Sequence, residues 1–100
     1  LNLSAAVEPK LVRALHVRQA LATVAAGDAD AGVVYKTDAL QSDRIRVVAP
    51  APDGSHNAIT YSGAVIAASK NSSAAQAYLS FLGTEPARAI FAKFGFRMAE

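Results

Sequence analysis

The sequence lacks cysteine and tryptophan and carries little net charge. Without cysteine the chain forms no disulfides and no thiolate metal sites, although this absence does not identify its compartment. Ten Lys and Arg residues against eight Asp and Glu leave a formal net charge of +2, scattered along the chain. This excludes the clustered positive surface of a nucleic-acid-binding protein. No run of about 18 apolar residues occurs, so no membrane-spanning segment is predicted.

Small apolar residues dominate what is present. Hydrophobic residues make up 52% of the 100 residues, many of them Ala, whereas aromatic residues make up only 7%. A compact chain of this size buries roughly two thirds of its unfolded surface, but here each residue adds little to a core. The sequence therefore predicts one domain at most, or pieces of two.

Apolar periodicity predicts a first helix over Val17–Ala26. Its apolar residues recur at helical spacing and form one face, namely Val17, Ala20, Leu21, Val24 and Ala25. Gly27 suits the end of the helix because it adopts positive φ without a Cβ clash. His16 takes the N-cap position, where it is weaker than Asp, Asn or Ser. The preceding residues, Leu1 to Pro9, are expected to be irregular or a frayed helix end.

Two more helices are predicted near the carboxyl terminus. The first starts at a cap among residues 71–73 and ends at Gly83, with an apolar face of Ala74, Ala77, Tyr78, Phe81 and Leu82. The second starts at Thr84, tolerates Pro86 in its first turn and ends at Gly95. Its inward-facing residues are expected to be Ala87, Ile90, Phe91 and Phe94.

Three short apolar segments predict strands: Ala31–Tyr35, Arg44–Ala49 and Ala58–Ala67. The first is apolar on both faces, as a central strand covered by helices would be. It delivers Tyr35 at its end, and a polar connection follows over Thr37–Asp43. A helix, a tight turn, a buried strand and a polar cluster predict an open α/β sheet, in which ligands lie outside the carboxyl ends of the strands.

The stretch from His16 to Leu40, HVRQALATVAAGDADAGVVYKTDAL, resembles the periplasmic molybdate-binding proteins of ABC transporters, a branch of the type II periplasmic binding proteins. The resemblance continues to the ending Ile90–Phe96. It implies a three-layer αβα fold with two lobes. Residues 1–49 would be the carboxyl part of lobe II, with the anion-site helix and strand, and residues 50–100 the carboxyl-terminal part of lobe I. Because members of this family are more than twice as long, we expect a carboxyl-terminal fragment.

The same resemblance implies two contacts to a molybdate oxyanion, the backbone N–H of Val17 and the hydroxyl of Tyr35. The family's other contacts, from serines and a backbone amide, would lie before Leu1. From the residues alone, Val17 is interpreted as helix-face core and Tyr35 as a core tyrosine with a satisfied hydroxyl.

The chemistry of these two positions suits an oxyanion. The first N–H groups of a helix lack helical partners, and the helix dipole favours negative charge there. The Tyr35 hydroxyl adds a neutral donor. Because fully ionised oxyanions offer only acceptors, a site made only of donors discriminates against protonated ones such as hydrogen phosphate. Selection between molybdate and sulfate depends on cavity size.

No pattern for catalysis or for a separate metal site is present. His16 and His56 are far apart with no third ligand beside either, no G-x-S-x-G surrounds a serine, and the glycines form no phosphate-binding loop. Arg18 adds positive potential at the helix start or is simply solvated, and we favour the latter. The acids are interpreted as turn and cap residues: Asp28, Asp30, Asp38 and Asp53. We therefore expect no enzyme, no cofactor and no metal beyond the oxyanion.

Three hypotheses for function follow. The first is a periplasmic receptor that binds molybdate or tungstate and presents it to the membrane permease of an ABC importer, here as a fragment with an incomplete site. No signal-peptide pattern occurs in this sequence. The second is an effector-binding domain of a transcription regulator with the same fold. The third is a fragment without ligand that pairs with a second copy through exposed strand edges and helix faces. A homo-oligomer is expected.

Overall fold

The amino-terminal segment contains a short helix rather than an irregular chain. A computed structural model describes residues 2–99, and the prediction made for Leu1 lies outside them. Helix α1 (Ser4–Val7) leads directly into a 3-10 turn (Glu8–Lys10). This outcome fits the expected frayed helix end.

Four further helices follow. They are α2 (Val17–Ala26), α3 (Lys36–Ala39), α4 (Ser72–Leu82) and α5 (Glu85–Lys93). The chain divides into two compact units, Leu1–Val48 with the first three helices and Ala49–Glu100 with the last two. The assignment of residues 1–49 and 50–100 to two lobes stays a prediction.

Helix α2 confirms the first predicted helix with the same bounds. All five residues of its predicted apolar face are half-buried. The helix ends at Gly27, whose φ of 85° is the left-handed conformation that favours glycine. There the N–H groups of Gly27 and Asp28 donate to carbonyls of the last turn at 3.0 Å. Local sequence signals therefore determine both ends of this helix.

The three predicted strands do not form among residues 2–99. Residues 31–35, 45–50 and 57–66 adopt neither helix nor strand, and we call them the first, second and third coil segments. Residues 45–50 and 58–65 make no backbone–backbone hydrogen bond with any described residue. A strand exists only through hydrogen bonds to a neighbouring strand, so an apolar pattern without a neighbour does not produce one. The α/β prediction holds here for the helices and not for the strands.

The first coil segment lies against α2 through Gly32. A Cβ atom added to Gly32 would come within 2.9 Å of the Val24 Cγ2 atom and 3.9 Å of the Ala20 carbonyl oxygen. The backbone therefore approaches the helix more closely than a residue with a side chain permits. This approach sets the path of the chain from α2 to α3, and these two helices pack against each other.

In the second unit, α4 and α5 pack against each other across a short connection. Asn71 is the N-cap of α4 and Thr84 that of α5, in agreement with the sequence, but neither side chain makes a capping hydrogen bond. The Thr84 hydroxyl instead donates to the Phe81 carbonyl at 2.6 Å. The connection is therefore held by the turn and not by helix capping.

The predicted apolar faces of α4 and α5 are only partly right. Ala87 is buried, and Leu82 and Phe91 are half-buried. The exposed members are Ala74, Ala77, Tyr78, Phe81, Ile90 and Phe94. In α4 the covered residues include Ala75 and Leu79, because the Leu79 side chain faces the third coil segment at Gly63.

Three aromatic rings connect the third coil segment to α5. Phe96 packs edge to face with Tyr61 and with Phe91, at ring-centroid distances of 5.7 and 6.0 Å. This arrangement is favourable because the positive edge of one ring meets the negative face of the other. Phe96 therefore holds the coil segment and the helix together within this unit.

Little of the described chain is buried. Among residues 2–99, Ala39 and Ala87 are the buried apolar residues. The accessible surface is 9093 Å², whereas two compact units of half this chain's size would together expose about 6,500 Å². Much apolar surface is consequently uncovered.

Replacing Gly32 with alanine is expected to lower the free energy of unfolding by roughly 1–3 kcal/mol, because the added methyl group overpacks against Val24. Valine is β-branched and stiff on a helix, so it has little freedom to move away. Chemical denaturation followed by circular dichroism measures the change. Gly83→Ala is the control, since its Cβ would meet nothing closer than 3.4 Å. A Gly32→Ala variant as stable as the parent would contradict the close approach.

Candidate functional site

The start of α2 is held by two side-chain contacts to backbone N–H groups. His16 has an extended backbone, with φ −154° and ψ 162°, and its Nδ1 atom accepts the N–H of Gln19 at 3.2 Å. The Gln19 side chain reaches back, and its Oε1 atom accepts the N–H of Leu15 at 2.9 Å. The predicted N-cap is confirmed. Gln19, the third helical residue, resembles the Glu or Gln of a capping box, except that it accepts the N–H of the residue before the N-cap.

Two backbone donors remain free at this helix end. The N–H of Gln19 is taken by His16, and the N–H of Ala20 donates to the His16 carbonyl at 3.3 Å. The N–H groups of Val17 and Arg18 donate to no acceptor in the described part of the chain. The first turn contains no acidic residue. The start of α2 therefore presents two donors and the positive end of a helix dipole, which together favour an anion.

Tyr35 lies at the end of the first coil segment, immediately before α3. Its backbone is extended, and its carbonyl accepts the N–H of Asp38 at 3.1 Å and that of Ala39 at 3.0 Å. The residue is 44% exposed, and its hydroxyl has no hydrogen-bond partner among residues 2–99. The interpretation as a core tyrosine with a satisfied hydroxyl is therefore wrong for this unit. The phenol is available to donate to a ligand.

An ion pair joins the start of α2 to α3. The Nε atom of Arg18, the second residue of α2, lies 3.6 Å from Oδ1 of Asp38, and the side chains are 75% and 14% exposed, respectively. Next to Asp38, Ala39 is buried, and its helix α3 packs against α2. The structure thus brings together the two elements that carry Val17 and Tyr35.

Helix α3 and the ion pair were not anticipated from the sequence. The helix lies where the sequence predicts a polar connection, and its four residues are too few to display a helical period. Arg18 is largely exposed, as predicted for a solvated side chain, but its charge is paired. Asp38, interpreted as a turn or cap acid, is the partner. For the side-chain contacts at the start of α2, the available sequence signal was Gln19, three residues after His16.

Other features of the described chain do not coincide with this site. An open groove along α1 is lined by Leu3, Ser4, Val7, Glu8 and Leu11, and it includes neither Val17 nor Tyr35. Within residues 2–99, no three His, Asp or Glu side chains come together in a group that could hold a metal ion. No helix in the same range is long and apolar enough to cross a membrane.

The chain belongs to a family of solute-binding proteins. Residues 1–97 match the family described as bacterial extracellular solute-binding protein. The match covers nearly the whole chain and confirms the resemblance seen in the sequence. It supports the type II periplasmic-binding-protein fold, while the three-layer αβα arrangement stays a prediction because no strand forms within residues 2–99.

Three curated relatives resemble the chain. A Bacillus subtilis (strain 168) protein named as an ABC transporter substrate-binding lipoprotein is 38% identical over 90 residues, which cover 90% of this chain and 35% of that protein. The molybdate-binding protein ModA of Escherichia coli (strain K12) has the same identity and coverage. The molybdate-binding protein ModA of Haemophilus influenzae is 33% identical over 96 residues, which cover 96% of this chain and 37% of the relative.

These relatives are longer than this chain. The chain spans about a third of the length of the curated relatives it matches. No solved structure matches the chain. The oxyanion contacts of Val17 and Tyr35 therefore stay predictions.

Proposed function

We propose that this chain is part of a receptor that binds molybdate for an ABC importer, and that Val17 and Tyr35 contribute donors to its oxyanion site. The observation that carries the proposal is the pair of free N–H groups at the start of α2, which packs against the turn that begins at Tyr35. Family membership and two relatives named as molybdate-binding proteins support the choice of ligand.

The charges around the site support a fully ionised oxyanion. Arg18 is paired with Asp38, so the two side chains together contribute no net charge. Binding then depends on neutral donors and the helix dipole, which suit a ligand that offers only acceptors. Tungstate has the same charge and tetrahedral shape as molybdate, and we include it among the ligands.

The receptor is proposed to work in the periplasm, with the membrane permease of the importer as its partner. The family description and the relative named as a substrate-binding lipoprotein support this location. The proposal includes no catalysis and no cofactor. The alternative, an effector-binding domain of a transcription regulator, has no support among the relatives described above.

Nuclear magnetic resonance of the ¹³C,¹⁵N-labelled chain, titrated with sodium molybdate and separately with sulfate, tests the site. We expect molybdate to produce saturable shifts of the Val17 amide and the Tyr35 ring. Tyr35→Phe should weaken binding by about 1–3 kcal/mol, or about 5- to 150-fold, through loss of one hydrogen bond to a charged ligand.

The control for this titration is Tyr78→Phe, which removes an exposed phenol in the second unit and should leave the affinity unchanged. Absence of any saturable shift at millimolar molybdate would contradict the proposal that this chain carries the site. If Tyr35→Phe binds molybdate as tightly as the parent, the Tyr35 hydroxyl is not part of the site.

Substitution of Val17 by proline or alanine separates a backbone contact from a side-chain contact. Proline suits the first position of a helix, and the extended backbone of His16 is the conformation that a following proline requires. Val17→Pro should therefore keep α2 but remove its first N–H, whereas Val17→Ala keeps this donor. We expect weaker molybdate binding for the proline variant, with circular dichroism confirming the helix in both. Equal affinities would argue against a backbone contact.

Self-association is a second part of the proposal. The second and third coil segments carry exposed apolar side chains, among them Val48, Ile59 and Ile66, and they lack the hydrogen bonds of a sheet. By the surface scaling used above, the chain exposes about 2,600 Å² more than two compact units, and a standard protein interface buries about 1,600 Å². A second copy that pairs with these segments would cover such a surface.

Multi-angle light scattering is expected to find a dimer or a larger species. Val48→Lys should shift the equilibrium towards monomer, because a charge on a pairing segment opposes association. Val12→Lys is the control, since Val12 is exposed but lies in the connection before α2. A monomeric parent chain at high protein concentration would refute self-association.

A further inference from the structure

We propose that Arg18 and Asp38 form a positioning pair, which holds the Tyr35 hydroxyl in register with the free N–H groups of α2. This inference rests on the function proposed above, because it assigns a role in the same oxyanion site. Its basis is the 3.6 Å contact between the two side chains, one on each of the two helices.

The pair connects the two donors by short routes. Arg18 follows Val17 directly, in the first turn of α2. On the other side, the Asp38 N–H donates to the Tyr35 carbonyl at 3.1 Å, so the backbone of Tyr35 is bonded to the residue that carries the carboxylate. A shift of Asp38 relative to Arg18 is therefore transmitted to Tyr35 on one side and to the start of α2 on the other.

Helix α3 needs such a tether because it is very short. A helix of four residues does not offset the cost of nucleation by its own hydrogen bonds. Its contacts with α2 hold it in place, and the ion pair of Asp38 is one of them. Ala39, next to Asp38, is buried, and the ion pair fixes how α3 is oriented beside the start of α2.

Stability alone does not account for the pair. A cation in the first turn opposes the helix dipole, so Arg18 is not placed there to favour α2. Arg18 is also 75% exposed, and ion pairs with an exposed partner contribute little to folding. Pairing with Asp38 offsets the positive charge and uses the length of the arginine side chain to reach the second helix.

Positioning and simple charge predict opposite results for one variant. If the side chains acted only through their charges, Asp38→Asn would remove a negative charge near the site and tighten the binding of a dianion. If they position the donors, Asp38→Asn and Arg18→Gln both weaken it. We expect each single variant to weaken molybdate binding about two- to fivefold, the scale of an exposed ion pair. The double variant should be no weaker than the weaker single one.

The experiment is a double-mutant cycle on the labelled chain, with molybdate affinities and ligand-free spectra recorded for the parent, both single variants and the double variant. Without ligand, Asp38→Asn should shift the Val17 amide signal and Arg18→Gln should shift the Tyr35 ring signals, each across the contact between the two helices. The control is the exposed ion pair between Arg13 and Glu8 at 3.3 Å. Arg13→Gln and Glu8→Gln should shift neither signal and change no affinity.

The outcomes separate the two proposals. Tighter binding by Asp38→Asn, or effects of the two substitutions that simply multiply, would overturn the positioning role while leaving the oxyanion site intact. A parent chain that binds no molybdate would contradict the proposed function. The ligand-free spectra would then decide about the pair, since a Val17 signal unmoved by Asp38→Asn and Tyr35 signals unmoved by Arg18→Gln would refute it.

Discussion

The return of the chain onto α2 is the constraint on which the rest of the first unit depends. Gly27 ends the helix in the left-handed conformation, and Gly32 then lets the backbone pass within contact of Val24. The short helix α3 follows, with Ala39 buried. A side chain at Gly32 would push this whole segment away from α2, and Tyr35 with it. The packing of a glycine therefore determines where a phenol lies.

The start of α2 shows how the sequence leaves some backbone groups unpaired while satisfying others. The side chains of His16 and Gln19 accept the N–H groups of Gln19 and Leu15, respectively, and so stabilise the start of the helix. These contacts occupy the third N–H, whereas those of Val17 and Arg18 have no acceptor among residues 2–99. A Ser or Asp cap would satisfy the second or third N–H in the same way. The free donors are thus compatible with a well-capped helix, and the cap orients them without adding a negative charge that would repel an anion.

The sequence predicted the features that depend on local signals and missed those that depend on contacts between distant residues. The bounds of α2 follow from a clear apolar period and from Gly27, both of which act within a few residues. The strand predictions were wrong because strand pairing is non-local. The segments around Val47 and Ile59 can have the apolar pattern of a strand and still have no neighbouring strand to pair with. At the site, positions 17 and 35 came from family resemblance, whereas the contact of Arg18 with Asp38 joins residues twenty apart in sequence. A pattern read along one helix does not contain such a contact.

The ion pair also bears on which oxyanion the proposed site would accept. A carboxylate without a partner is an acceptor, and beside an anion site it would favour ligands that bring a proton, such as hydrogen phosphate. Asp38 instead lies 3.6 Å from the Arg18 guanidinium, and its side chain is only 14% exposed, so its charge is offset and it offers little surface to a ligand. The remaining groups at the proposed site are two N–H donors and a phenol, and they favour an anion that offers acceptors on every side. Pairing of Asp38 would thus contribute to selectivity for fully ionised oxyanions, in addition to holding the two helices in register.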